Sequence, residues 1–185
     1  MTSGFDGRWR IVPEGSTVWN YELSAYEPDE VGDEIITIRT DGDEQDYEVL
    51  YGNDPVVRMG YRAKFDDTEW KPYLVREIIA DDDSDVEESI AAFRDRIKAT
   101  SGTMRRDFEV GKPYGIVRLI SGDERTHYRL SRDTNSDDIL HIMLRRLDED
   151  GQGYTAFVFD RDGIVNRVRP FRRDPEWTAE PDNPE

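Results

Sequence analysis

The sequence predicts a mainly β fold, an antiparallel up-and-down β-barrel of about ten strands with one inserted helix. Three observations carry this expectation. Apolar and polar residues alternate in short segments along most of the 185 residues, the mark of half-buried strands. Clusters of Asp, Gly and Asn separate these segments at hairpin spacing, so neighbours in sequence are neighbours in the sheet. One interval, 84–99, changes to helical spacing.

Strands are expected at 7–12, 34–40, 45–51, 56–65, 69–79, 114–120, 125–131, 138–147, 154–160 and 163–172. Turn chemistry separates them, as at Asp41-Gly42, Asn53-Asp54-Pro55, Asp66-Asp67, Gly122-Asp123, Asp150-Gly151 and Asp162-Gly163. The stretch from Pro13 to Asp33 reads as only partly helical. Val86, Ile90, Phe93 and Ile97 form the helical stripe, Ser84-Asp85-Val86-Glu87 a capping box, and Gly102 a stop. The acidic run Asp81-Asp82-Asp83 faces the positive end of that helix dipole, a structural role, and lacks the ligand spacing of a calcium loop. Residues 1–173 are thus expected to form one barrel domain, and the acidic, Pro-rich tail 174–185 to be disordered.

Lys and Arg total 25 against 42 Asp and Glu, a formal charge of −17, which repels phosphate backbones and anionic lipid surfaces. Nucleic acid and membranes are therefore not expected partners. With no cysteine and two histidines, disulfides, thiolate chemistry and Cys- or His-caged metals are excluded, and no metal or cofactor is expected. Met1 to Gly7 shows neither a basic n-region nor an apolar h-region, and no run approaches the ~18 apolar residues of a spanning helix. The expected location is the cytoplasm.

Loop length fixes which residues share a face of the sheet. Ile36, Ile38, Tyr47, Val49 and Tyr51 share the inner face across the Asp41-Gly42 hairpin; the register from 51 to 56 is open, and choosing the apolar side of the next strand gives Val57, Met59, Tyr61, Ala63 and Phe65. The connection Asp66-Asp67-Thr68-Glu69 then brings Trp70, Leu74, Arg76 and Ile78 inside. With Gly122-Asp123 as a two-residue turn, Val117 and Leu119 share a face with Thr126, Tyr128 and Leu130. The next hairpins add Leu140, Ile142 and Leu144, then Thr155, Phe157 and Phe159, then Ile164, Asn166 and Val168. This apolar set is assigned to the interior. The opposite set, with Arg118, Arg125, His127, Arg129, His141, Met143 and Arg145, is assigned to solvent. His127 and His141 share that face on adjacent strands, as a metal pair or acid–base dyad requires. The arginines beside them repel a cation and oppose protonation, so they are read as solvent-facing unless the faces are inverted.

Gly7-Arg8-Trp9 at the first strand and the basic closing strand Ile164 to Arg173 resemble elements of the calycin superfamily. That superfamily comprises the lipocalin and fatty-acid-binding barrels, and the closer likeness is to the small lipocalin-like proteins of bacteria. There a closing-strand arginine packs over the first-strand tryptophan, and Arg169 or Arg172 matches by position. The strand count is similar to that of the fatty-acid-binding branch. The resemblance spans about residues 5–173 and implies ligand binding, although some calycins are enzymes. Two features depart from it. Fatty-acid-binding barrels place two helices between their first two strands, whereas the clear helix here follows Ile79. Secreted lipocalins carry a signal peptide and disulfides.

The expected function is binding of a small, largely apolar or amphipathic molecule with an acidic or polar head. The expected ligand-binding residues are Arg76, Tyr128, Tyr61, Tyr47, Trp70 and Asn166. Arg76 is the anchor, since a guanidinium among apolar neighbours needs an anionic partner, and the helix is a possible lid. A lyase, isomerase or decarboxylase in the same pocket, with Tyr128 in acid–base work, is the alternative. A filled, partner-binding barrel is the third reading. The ligand and the oligomeric state are not legible.

Overall fold

All ten expected strands are present in the computed structural model, which describes residues 4–29, 32–52, 55–80, 87, 88, 91, 109–136 and 138–175. They are β1 (Gly7–Ile11), β4 (Glu34–Asp41), β5 (Glu44–Tyr51), β6 (Val56–Lys64), β7 (Lys71–Ile79), β8 (Pro113–Asp123), β9 (Thr126–Arg132), β10 (Ile139–Leu147), β11 (Gly153–Phe159) and β12 (Val165–Arg173). Two further short strands, β2 (Thr17–Asn20) and β3 (Ala25–Pro28), form a hairpin within the stretch read as partly helical. Val18 and Trp19 supply its β propensity, and Trp19 packs edge-on against Tyr26 with ring centres 5.0 Å apart.

The ten long strands follow one another around the sheet, and β1 closes it by pairing antiparallel with both β4 and β12. β12 has two partners along one edge. Its C-terminal half meets β1, with Trp9 opposite Arg173, and its N-terminal half meets β2, with Val18 opposite Arg167. The 3-10 turn Pro13–Gly15 steps the chain from one to the other. Of the inserted helix expected over 84–99, Glu87, Glu88 and Ala91 are described and are helical; the rest of that span lies outside the described residues. The tail beyond Pro175 also lies outside them. Among the described residues no helix is long and apolar enough to cross a membrane.

One end of the barrel is plugged by aromatic and basic side chains. Trp9 is fully buried, its indole N–H donates to the Phe5 carbonyl at 2.8 Å, and Tyr154 meets its ring at 5.0 Å. The residue over Trp9 is Arg173, with its guanidinium carbon 4.3 Å from the ring centre. Arg173 also donates to the carbonyls of Gly4, Asp6 and Gly151. Neither Arg169 nor Arg172 takes that place: Arg169 pairs with Asp29 and Glu34, and Arg172 with Asp148. Register decides the matter, because Trp9 and Arg173 are direct cross-strand partners.

The inner faces of β4, β5 and β6 are as expected, with Ile36, Ile38, Tyr47, Val49, Val57, Met59, Tyr61 and Ala63 buried. On β7 a β-bulge intervenes. Val57 faces Ile78 and Arg58 faces Glu77, but Met59 faces Val75, which leaves Arg76 as the extra residue. Ile78 keeps its inward position, while Tyr73 and Val75 take the inner places assigned to Leu74 and Arg76.

A second bulge has wider consequences. Leu119 pairs with Arg129 and Ser121 with His127, then the register shifts so that Asp123 faces Thr126. Gly122 sits at this shift, where a Cβ would lie 2.9 Å from the Thr126 carbonyl oxygen. The pairing differs from that of a two-residue turn by an odd number of residues, which turns β9 over. Leu130 still opposes Ile142, Leu144 opposes Phe157, and Phe157 opposes Val168. The apolar set is therefore continuous, but it lies on the outside. The inner face of β9 carries His127, Arg129 and Ser131, and that of β10 carries Met143, Arg145 and Leu147.

Candidate functional site

The lumen is lined by tyrosine and arginine. Tyr47 on β5 and Tyr61 on β6 are cross-strand partners, and their rings stack at 4.7 Å. Tyr73 on β7 meets both edge-on, at 6.1 and 5.5 Å. Across the barrel, Arg129 lies 5.5, 5.9 and 5.3 Å from the ring centres of Tyr47, Tyr61 and Tyr73. Arg145 lies 4.7 Å from Tyr47. Both guanidiniums thus approach the same ring, 5 % and 0 % exposed respectively. Cation–π contacts of this kind contribute up to about 2 kcal/mol each when desolvated.

Hydrogen bonding accounts for only part of this cluster. Arg145 Nη1 lies 3.2 Å from His127 Nε2 and 3.4 Å from the Tyr61 hydroxyl. A guanidinium only donates, so Nε2 is the acceptor and the imidazole proton resides on Nδ1. Tyr61 in turn donates to Gln45 Oε1 at 3.0 Å. Left without a protein partner are Nε and Nη1 of Arg129, Nε and Nη2 of Arg145, Gln45 Nε2, and the Ser131 and Tyr154 hydroxyls. Every one of these atoms can donate. Among the described residues no carboxylate pairs with Arg129 or Arg145.

Two further inward arginines, Arg167 and Arg169, are neutralised. Arg169 donates to Asp29 and Glu34 at 3.1 Å each, and Arg167 lies 3.6 Å from Asp29. Asp29 follows β3, and Glu34 opens β4, so these contacts bridge β12 to β4 beyond the end of β1. Two acids balance two bases there. Near Tyr47 two bases stand unbalanced.

Burial pushes the phenols of Tyr47, Tyr73 and Tyr154 above their ordinary pKa, which keeps them neutral donors. Burial, followed by the charges of Arg145 and Arg129, holds the His127 imidazole well below 6.5. The unfolded chain therefore takes up this proton first. The stability conferred by neutral His127 is complete above pH 6.5 and is lost as pH falls below it toward the folded-state value. His127→Gln retains an acceptor for Arg145 but does not titrate. Melting temperatures of both proteins at pH 7, 6 and 5 should show a smaller acid loss in the variant over a range where most carboxylates stay ionised. Equal losses would contradict a buried neutral imidazole.

Of the six residues expected to bind ligand, Tyr47 and Tyr61 face the lumen. Arg76 does not: its guanidinium lies on the outer surface against Gly60, bonded to Glu48 at 3.1 Å and 3.6 Å from Asp46. Trp70 is outside between Arg118 and Arg132, 5.7 and 4.9 Å from their guanidinium carbons. Tyr128 is on the outer face of β9, opposite Leu144, away from any acid–base role in the lumen. Asn166 lies beside the Tyr21 phenol on the outside. The two histidines do face inward, with the inversion, but they are not a pair. His127 opposes Arg145 and His141 opposes Ser131, which sets them roughly 13 Å apart along the ladder.

Arg129, Arg145, Tyr73 and Tyr154 were outside the expected site. The pattern that marks the first two is the alternation His127-x-Arg129-x-Ser131 facing Met143-x-Arg145, legible as interior only once the Gly122 bulge is known. A separate cleft of about 270 Å³ on the outer surface, lined by Arg125, Arg146, Asp148 and Phe157 among others, is a poorer candidate. It is open to solvent, and Arg125 there donates to the Leu147 carbonyl at 2.9 Å.

No family model and no curated protein matches the sequence. Among solved structures the chain is similar to a Schistosoma mansoni fatty acid binding protein in complex with arachidonic acid. The TM-score is 0.52 at 12% identity, covering 93% of this chain and 97% of that one. At such identity the likeness shows fold alone: a closed antiparallel barrel of ten strands.

Proposed function

We propose that the protein binds a small, largely apolar molecule inside its barrel, with an anionic head held by Arg129 and Arg145. The observation that supports this most is the pair of buried guanidiniums that keep Nε and Nη1 of Arg129 and Nε and Nη2 of Arg145 without a partner and have no carboxylate paired to them. Buried charge without a counterion costs several kcal/mol, and buried donors left unmade cost about 1–3 kcal/mol each. A ligand carboxylate or phosphate relieves both. Tyr47 and Tyr61, stacked on each other, orient the head beside the arginines, and the apolar inner positions Val49, Met59, Val75 and Val117 suit an aliphatic or aromatic body. The likeness to a fatty acid binding protein in complex with arachidonic acid supports the same reading. The anchor moves from Arg76 to the opposite wall, and the ligand class stays as the sequence suggested.

Competition against a fluorescent fatty acid tests this. Dodecanoate should displace the probe at tenfold or more lower concentration than dodecanol, which shares the chain without the charge. The preference should vanish in the Arg129→Met/Arg145→Met double variant. Equal competition by acid and alcohol, or failure to take up the probe at all, would contradict the proposal.

A further inference from the structure

We infer that the preferred head carries two negative charges on one group, as a phosphate monoester on an apolar chain does, rather than the single charge of a carboxylate. The inference rests on the anionic-head reading above and deepens it by counting charge and donors. Around Tyr47 the lumen holds Arg129 and Arg145 with no carboxylate paired to either among the described residues; the acid whose charge reaches Tyr47, Glu34, is already paired with Arg169. Arg167 and Arg169 are already balanced by Asp29 and Glu34. His127 is neutral, and the tyrosines Tyr47, Tyr73 and Tyr154 are neutral as well. A monocarboxylate therefore leaves one buried positive charge unmatched, and a dianion leaves none.

The donors point the same way. An Nε carries one hydrogen and an Nη two. The unpartnered nitrogens thus offer three N–H bonds from Arg129 and three from Arg145, before Gln45, Ser131 and Tyr154 add theirs. A carboxylate presents about four lone-pair sites, fewer than the guanidiniums alone can fill. A phosphate monoester presents three strong acceptor oxygens and close to two charges near neutral pH, its second pKa lying at about 6. Its tetrahedral oxygens suit donors converging from β9 and β10 together with the Tyr154 hydroxyl of β11.

The test measures displacement of the fluorescent fatty acid at pH 8 by dodecyl phosphate, dodecyl sulfate and dodecanoate, all at micromolar concentration. Sulfate is the critical comparison, because it matches phosphate in shape and oxygen count but carries one charge. Dodecyl phosphate should compete at least tenfold better than either monoanion. The advantage over sulfate should shrink to less than threefold in Arg129→Met, which retains only one unbalanced guanidinium. Inorganic phosphate, having no chain, should not compete at these concentrations. Displacement by dodecanoate with no advantage for dodecyl phosphate would overturn this inference and leave the anionic-head reading standing. Failure of all three amphiphiles to compete would overturn both. An advantage that persists undiminished in Arg129→Met, or competition by inorganic phosphate alone, would also overturn it.

Discussion

Trp9→Ala is expected to lower the melting temperature by roughly 6–20 °C, since truncating a buried tryptophan costs about 3–5 kcal/mol and each kcal/mol shifts a domain of this size by about 2–4 °C. The indole is fully buried and stands where β1 closes the barrel between β4 and β12. Removing it leaves a void against Tyr154, deletes the bond to the Phe5 carbonyl and exposes the inner side of the Arg173 guanidinium. Arg173 ties the N-terminal segment and the β10–β11 turn to this end of the barrel through three carbonyls. Loss of its aromatic platform therefore loosens two connections at once. Thermal unfolding followed by circular dichroism checks this, and a shift under about 2 °C would show that Trp9 does not hold the closure.

Arg129→Met is expected to act in two opposite directions. In the ligand-free protein it removes an uncompensated buried charge and relieves repulsion from Arg145, while the thioether keeps contact with the tyrosine rings. The three ring contacts that Arg129 makes recover part of its desolvation cost, but they leave Nε and Nη1 without acceptors. A net gain of about 1–3 kcal/mol in stability is expected when the barrel is empty. Affinity for an anionic amphiphile should fall by about 2–5 kcal/mol. Arg145→Met should lose similar affinity with a smaller gain in stability, because it strands the His127 acceptor and the Tyr61 hydroxyl that Arg145 now serves. Paired melts of empty and ligand-saturated proteins separate the two effects. An Arg129→Met protein less stable than the parent when empty, with unchanged affinity, would make Arg129 a structural residue.

The strands were legible because alternation and turn residues act locally. Each expected strand is present to within a few residues; the inner face of β4 and β5 follows from the Asp41-Gly42 hairpin, and that of β6 from taking its more apolar side. What the sequence hides is register at two bulges. At β7 one extra residue, Arg76, moves from the lumen to an ion pair with Glu48, although Ile78 just beyond it is placed as expected. At Gly122 a similar slip turns over β9, and the relative pairing of β9 to β12, correctly deduced, carries the error through all four strands. Apolarity could not correct it, because in this barrel the outer wall at Leu130, Ile142 and Phe157 is more apolar than the inner wall at Arg129 and Arg145. The usual inference that the apolar face points inward fails where a lumen is built to receive charge. Arg76 was singled out for the right reason, a guanidinium facing the interior, but the arginines that meet the description are on β9 and β10. The β2–β3 hairpin was missed because four-residue strands carry too little alternation to be told from a turn.

The central claim is that a ligand's anionic head lies between Arg129 and Arg145 inside the barrel. A fatty acid labelled with carbon-13 at its carboxyl and bound to the protein reports this directly, since the resonance moves on protonation. Between two buried guanidiniums the carboxylate should remain ionised well below its ordinary range, which lies just above the Glu side-chain value of about 4.3, so its shift should stay constant from pH 7 down to the onset of acid unfolding. In the Arg129→Met/Arg145→Met protein any bound acid should titrate at or above that ordinary range. A carboxyl that titrates in that ordinary range in the unmodified protein, as it does in water, would place the head outside the arginine pair and contradict the account.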